Sequence, residues 1–274
     1  MQVLQRDSTM DRCMMISQDC HAGAPWFVYR RFLDPQFRED YDRWISENLD
    51  GATALDQRQL REKKPFQFET MGHLGNRDPA ERARKLDREG IAGEVVSCDR
   101  SQKNYPPFGV GFVLRERKKG SCERRLAGCR AHNRRLAEFC QSSKGRHAGV
   151  ALITMDNPED TVTEIRWAKE NGLFGGVMLP ARQLLTDGAE AFWQHPRFEP
   201  AWQVCEKRDV PLNTHASSSG VIYGGSRLAG SAENAWTAFR PFWHMLWGGV
   251  FERHPKLRFC PTESGGMLAL WFNT

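Results

Sequence analysis

Met14-Met15-Ile16-Ser17-Gln18-Asp19-Cys20-His21-Ala22-Gly23-Ala24-Pro25 is an apolar run that ends in two metal-capable side chains and then a turn. In an extended segment, residues two apart share a face, so Asp19 and His21 converge while Cys20 faces the opposite layer. The turn after this strand is equally telling. A dinucleotide-binding doubly wound sheet would show G-x-G-x-x-G there, and Asp19-Cys20-His21-Ala22-Gly23 does not.

Downstream, short apolar strands alternate with helical segments. Asp78-Pro79 opens a helix that ends near Gly90, with aspartate as N-cap and proline in the first turn. Ala92 to Ser97 is the second strand, and Leu126, Ala127, Ala131, Leu136 and Phe139 mark a helix before a third strand at Ala148–Ile153. Asp156 to Asn171 is a helix entered through Asn157-Pro158, Phe174–Leu179 the fourth strand, Pro196 to Lys207 a helix and Val210–His215 the fifth strand. A largely buried helix from Ala235 to Phe251 leads to a sixth strand at Leu257–Thr262. Between the first two strands, Phe32, Phe37, Tyr41, Trp44 and Ile45 suit one amphipathic helix or two short ones covering the strand end.

Strands alternating with helices imply parallel crossover units, and nearly continuous apolar strands imply a sheet covered on both faces. A doubly wound sheet and a closed barrel both fit that order. The missing glycine fingerprint favours an α/β fold of the TIM-type (β/α) barrel, read as a single domain over 1–274, since barrels of this size commonly form one domain.

With 40% hydrophobic and 27% charged residues and a formal charge of +5, the chain has the composition of an ordinary globular protein. The basic run Arg115-Glu116-Arg117-Lys118-Lys119 and the pair Arg124-Arg125 read as solvated faces, so no nucleic-acid partner is expected. No apolar run is long enough to span a bilayer, and the amino terminus lacks the apolar core of a signal peptide, so no membrane partner is expected either. Eight scattered cysteines form no CxxC pair, which suits reduced thiols and a cytoplasmic location.

In a parallel barrel the C-terminal strand ends open onto one face, where active sites sit. Asp19 and His21 end the first strand, His215 ends the fifth and Glu263 follows the sixth, so four chemical groups address one mouth. Carboxylate and imidazole together suit zinc or a similar divalent ion such as manganese. His254, in Arg253-His254-Pro255, reads as a surface residue at a helix C-terminus, where the dipole favours it.

The sequence resembles the amidohydrolase-related barrels that include aminocarboxymuconate-semialdehyde decarboxylase and its relatives. Ile16 to His21 looks like that family's opening metal motif, and Asp87-Arg88-Glu89-Gly90-Ile91-Ala92-Gly93-Glu94-Val95 like its early helix-to-strand step. Ala131 to Phe139 is similar to the helix before its third strand, and Gly249-Val250-Phe251-Glu252-Arg253-His254-Pro255-Lys256-Leu257 is the most distinctive match. The resemblance implies that Asp19, His21 and His215 ligate a divalent metal. It further implies a carboxy-lyase or hydrolase acting on a small carboxylated or cyclic carbonyl compound.

Two departures stand out. Decarboxylating relatives usually carry a histidine after the sixth strand, and here Thr262-Glu263-Ser264-Gly265-Gly266 occupies that position. Glu263 is therefore the candidate general acid or base, if burial raises its pKa; the competing reading is that it hydrogen-bonds the glycine turn. Family barrels also continue for two more strand-helix units, with an aspartate ligand on the eighth strand, whereas this sequence runs to Trp271-Phe272-Asn273-Thr274. The expectation is an incomplete barrel with about six of eight units. From it comes the alternative to an enzyme: a catalytically inactive or fragmentary barrel that self-associates as a homo-oligomer.

Overall fold

Six parallel strands lie side by side in the order in which the chain makes them: β1 (Met15–Ala22), β2 (Ile91–Cys98), β3 (His147–Leu152), β4 (Gly176–Met178), β5 (Leu212–His215) and β6 (Phe259–Thr262). The computed structural model describes residues 13–47, 74–99, 106–111, 121–143, 145–180, 191–216 and 227–263. A doubly wound sheet reverses its strand order at a switch point. This one never reverses, so right-handed crossovers keep their helices on one face and the sheet curls in one sense.

Side-chain contacts measure the curl. Flat strands are about 4.8 Å apart, which would separate β1 from β5 by roughly 19 Å. Instead, Asp19 Oδ1 on β1 is 3.5 Å from His215 Nε2 on β5, and Gln18 on β1 meets Cys260 on β6. This is the partial TIM-type barrel that the strand order implies, with six strands among the described residues.

Helices Pro79–Glu89, Ser121–Gln141, Pro158–Glu170, Glu199–Arg208 and Arg227–Trp247 make the crossovers. Asp78 caps the first by accepting from the Ala80 and Glu81 amides, and Asn157 caps the third by accepting from Glu159 and Asp160. Each cap satisfies amides that the helix itself leaves unpaired. Val177 and Leu212 from the sheet and Ile165 and Trp202 from the helices share one core and are fully buried. Within the Ser121–Gln141 helix, Asn133 donates from Nδ2 to the Leu152 carbonyl and accepts from the Leu152 amide, both at 2.8 Å, pinning helix to strand. Tyr29, Leu33 and Tyr41, from the short helices after β1, pack on Ala127 and Ala131 of that same helix.

Several expectations need correction. β4 starts at Gly176 rather than Phe174, because Gly176 takes φ +102° and Phe174 is 63% exposed. The apolar helix begins earlier, at Arg227, and stops at Trp247. Gly249 at φ +67° breaks it before a separate turn at Val250–Arg253. Arg124 and Arg125 are not simply solvated: Arg124 grips Asp40 with two 2.6 Å bonds, and Arg125 lies 2.5 Å from Asp156 where both side chains are largely buried. The run 115–119 falls outside the described residues. His254 is buried, not superficial, with Nε2 2.6 Å from Glu199 and Nδ1 3.1 Å from Glu206. No described helix is long and apolar enough to cross a membrane.

Candidate metal centre

β1 does not alternate strictly. Ser17 is paired with Glu94 and Cys20 with Val96, so three steps on β1 span two on β2. Such a bulge re-aims the residues after it. Ser17 and Cys20 consequently share a side, with Cys20 Sγ 3.1 Å from Ser17 Oγ, while Asp19 and His21 turn to the mouth. His215 ends β5 there, 6% exposed.

Asp19 Oδ1 is 3.3 Å from His21 Nε2 and 3.5 Å from His215 Nε2. Ligands held about 2.1 Å from a tetrahedral ion lie about 3.4 Å from one another, so both separations match edges of such a polyhedron. One ligand atom from each of Asp19, His21 and His215 falls within 4.8 Å of the others. The rings of His21 and His215 are 5.1 Å apart.

The far side of each ring fixes its tautomer. His21 Nδ1 is 3.0 Å from the Cys98 carbonyl and His215 Nδ1 is 2.9 Å from the Ala216 carbonyl. A carbonyl only accepts, so each Nδ1 carries a proton and each Nε2 is turned toward Asp19: protonated, it donates to that carboxylate, and deprotonated, it offers its lone pair to an ion, the arrangement common to metal-binding histidines. Hydrogen bonds from His21 and His215 hold the Asp19 carboxyl far below the ordinary carboxylate range. Burial works to lower the His21 pKa, but the Asp19 hydrogen bond and the Cys98 carbonyl outweigh it and raise the value. The donor set therefore fits a divalent cation: one ionised carboxylate and two imidazole nitrogens on one point.

Glu263 takes φ +57°, a left-handed conformation uncommon for a side-chain-bearing residue. Its Oε2 lies 3.3 Å from His215 Nδ1, and the side chain is 45% exposed at the rim of the site.

Two neighbours escape a reading of sequence alone. Asp99 directly follows β2, is 5% exposed, receives the Asn76 Nδ2 at 3.1 Å, and contributes to raising the His21 pKa. Its signal was its place at the C-terminal end of a strand, where Asp19 and His215 also stand. His132 is fully buried with Nδ1 3.1 Å from the Tyr29 hydroxyl, and burial pushes its pKa down to about 3, so it is neutral. Nothing local in Ala131-His132-Asn133 distinguishes it from a helix-face residue.

A family profile described as amidohydrolase matches residues 19–272, nearly the whole chain. The chain belongs to the amidohydrolase family. Over 150 residues this amidohydrolase is 29% identical to the gamma-resorcylate decarboxylase of Rhodococcus jostii (strain RHA1), covering 50% of this chain and 44% of that protein. It thus spans less than half the length of that curated relative.

Among solved structures it is similar to the 5-carboxyvanillate decarboxylase of Novosphingobium aromaticivorans DSM 12444, complexed with manganese and 4-hydroxy-3-methoxy-5-nitrobenzoic acid. The TM-score is 0.62 at 19% identity, over 95% of this chain and 68% of that one. The dihydroxybenzoic acid decarboxylase of Polaromonas sp. JS666, with bound manganese and the inhibitor 2-nitroresorcinol, gives 0.56 at 18% identity over 94% and 68%. Identities this low speak for a shared fold. These relatives are decarboxylases of small carboxylated aromatic compounds, and the two solved ones hold manganese.

Proposed function

We infer that this amidohydrolase is a metal-dependent decarboxylase of a small carboxylated aromatic compound, with residues 1–274 as one barrel domain. The observation that carries this is the convergence of Asp19, His21 and His215 at tetrahedral spacing on the mouth of the sheet. The three residues are assigned as ligands of one divalent ion. Zinc suits one carboxylate and two imidazoles, and manganese, as in the relatives, is the alternative.

When bound, such an ion supplies Lewis acidity toward a carboxylate or phenolic oxygen of the substrate. The chain's own groups do the rest. The Cys98 and Ala216 carbonyls hold both imidazoles in the ligating tautomer. A ring carbon that loses carbon dioxide must gain a proton, and Glu263 at the rim is assigned to move it. Reduced thiols agree with a cytoplasmic setting.

Incubating the purified, metal-reconstituted chain with 2,6-dihydroxybenzoate and with 5-carboxyvanillate, and following loss of substrate absorbance and release of carbon dioxide, tests the assignment. Turnover that His215→Ala abolishes supports it; no turnover of any carboxylated phenol by a folded, metal-loaded chain defeats it.

A second reading has its own observation. Met14, just before β1, and Met15 and Ile16 at its start are 77%, 52% and 63% exposed, and the outer edge of β1 pairs with no strand among the described residues. Apolar edge strands associate, so an inactive barrel that self-associates is the competing proposal. Sedimentation separates the two, since it requires oligomers without turnover.

A further inference from the structure

Away from the mouth, helices Pro158–Glu170 and Glu199–Arg208 pack side by side and leave a groove of about 380 Å³. That volume falls within the roughly 300–1,000 Å³ typical of small-molecule sites. Val162, Val204 and Pro200 supply apolar surface, and Arg166, Gln203, Lys207 and Arg208 supply the polar groups. The lining therefore carries three cations and no carboxylate.

Many of the described arginines outside the groove are paired with carboxylates, while others, such as Arg38, Arg135 and Arg197, reach only backbone carbonyls. Arg30 pairs with Asp42, Arg82 with Glu94, Arg124 with Asp40, Arg130 with Glu164 and Arg146 with Asp87. In the groove only Arg208 has an acidic partner, Glu170 at 3.2 Å, and that pair is exposed. Arg166 and Lys207 make no ion pair among the described residues. Helix-end electrostatics account for Lys207 and Arg208, which sit in the last turn of their helix. They do not account for Arg166, which precedes the last turn of its own helix and is directed into the same groove.

Arg166, Lys207 and Arg208 are exposed and gather like charges at one groove, where they repel one another. An anion of two negative charges would relieve that repulsion. A phosphate monoester dianion offers three oxygens to guanidinium and ammonium donors, whereas a single carboxylate would leave most of the positive charge unanswered. The apolar surface of Val162, Val204 and Pro200 would take the organic part. We propose that this groove binds a phosphate monoester with a small apolar body, phosphate against Arg166, Lys207 and Arg208.

The site is separate from the metal centre. Barrel helices run antiparallel to their strands, so Arg166, Lys207 and Arg208, in the C-terminal halves of their helices, lie toward the end opposite the mouth. The proposal accordingly goes beyond the decarboxylase reading and does not depend on it.

Calorimetric titration of the full chain with phenyl phosphate, at constant ionic strength, tests it. Saturable one-site binding is expected, weaker for inorganic phosphate, which lacks the apolar group. Each charge-assisted contact removed costs about tenfold in affinity, so Arg166→Gln with Lys207→Gln should weaken binding by about a hundredfold. Arg88→Glu, on another helix, should leave it unchanged, and thermal denaturation without ligand verifies that both variants fold. Absence of saturable binding, equal affinity for inorganic phosphate, or undiminished binding in the folded double variant would each overturn the proposal.

Discussion

Replacing Arg82 with methionine should expose how strongly the wall of the barrel depends on one buried charge. Arg82, on the helix Pro79–Glu89, donates from Nε to both Glu94 oxygens at 2.8 and 3.0 Å and from Nη1 to Asn76. The Glu94 side chain, in the middle of β2, is fully buried and lies 2.9 Å from His147 Nδ1 on β3. Burial alone would raise the Glu94 carboxyl, but hydrogen bonds to His147 and Arg82 outweigh it and hold the pKa at about 2. Removing one partner of a buried pair costs about 3–5 kcal/mol, against roughly 0–1 for an exposed pair.

In a chain of this size each kcal/mol moves the midpoint by about 2–4 °C, so Arg82→Met should lower Tm by about 6–20 °C. The sign of the pH response adds a second check. In the native protein the depressed Glu94 pKa contributes stability that is full above its unfolded value of 4.5 and is lost as pH falls toward about 2. Without Arg82, the hydrogen bond to His147 is left to oppose burial, and a Glu94 pKa that rises past 4.5 makes the variant lose stability as pH rises from 5 to 8. Urea denaturation at pH 5, 6.5 and 8 measures both effects. Adding Glu94→Leu should recover more than half of the loss. A cost under about 1 kcal/mol at pH 8, with no pH trend, would refute the buried-pair reasoning.

Other outcomes rest on specific contacts. A Cβ at Gly176 would sit 2.1 Å from the Pro211 carbonyl oxygen at φ +102°; Gly176→Ala should cost about 2–4 kcal/mol, read by urea denaturation, and a neutral result would contradict the close approach of β4 to β5. Asn133→Leu strips two 2.8 Å bonds from Leu152 and leaves its amide and carbonyl unpaired. About 2–5 kcal/mol should be lost in the same assay. Burial pushes the thiols of Cys140 and Cys205 up to about 12. A thiol reagent at pH 8 should therefore label exposed Cys13 and Cys122 first, and reach Cys140 and Cys205 only on unfolding.

Much of this was legible because local chemistry and tertiary structure agree. Asp78-Pro79 and Asn157-Pro158 announce helix starts whatever packs around them, and the valine-rich strands could only be buried. The mouth was legible because a parallel sheet sends every strand end the same way, so Asp19, His21 and His215 needed no partner information to be grouped. What stayed hidden depends on groups distant in sequence. Glu94 looked like one polar residue in a valine strand until Arg82 and His147 closed around it. His254 followed the helix-dipole rule to the surface, yet Glu199 and Glu206, about fifty residues earlier, enclose it. The bulge between Ser17 and Cys20 arises from register against β2, which the sequence of β1 alone does not contain.

Metal stoichiometry by mass spectrometry, after dialysis against zinc or manganese, bears most directly on Asp19, His21 and His215. The native chain should retain about one ion, as a three-ligand site requires, and His215→Ala and Asp19→Asn should retain none while remaining folded. A native chain that binds no divalent ion, or single variants that bind it as well as the native chain, would contradict the assignment.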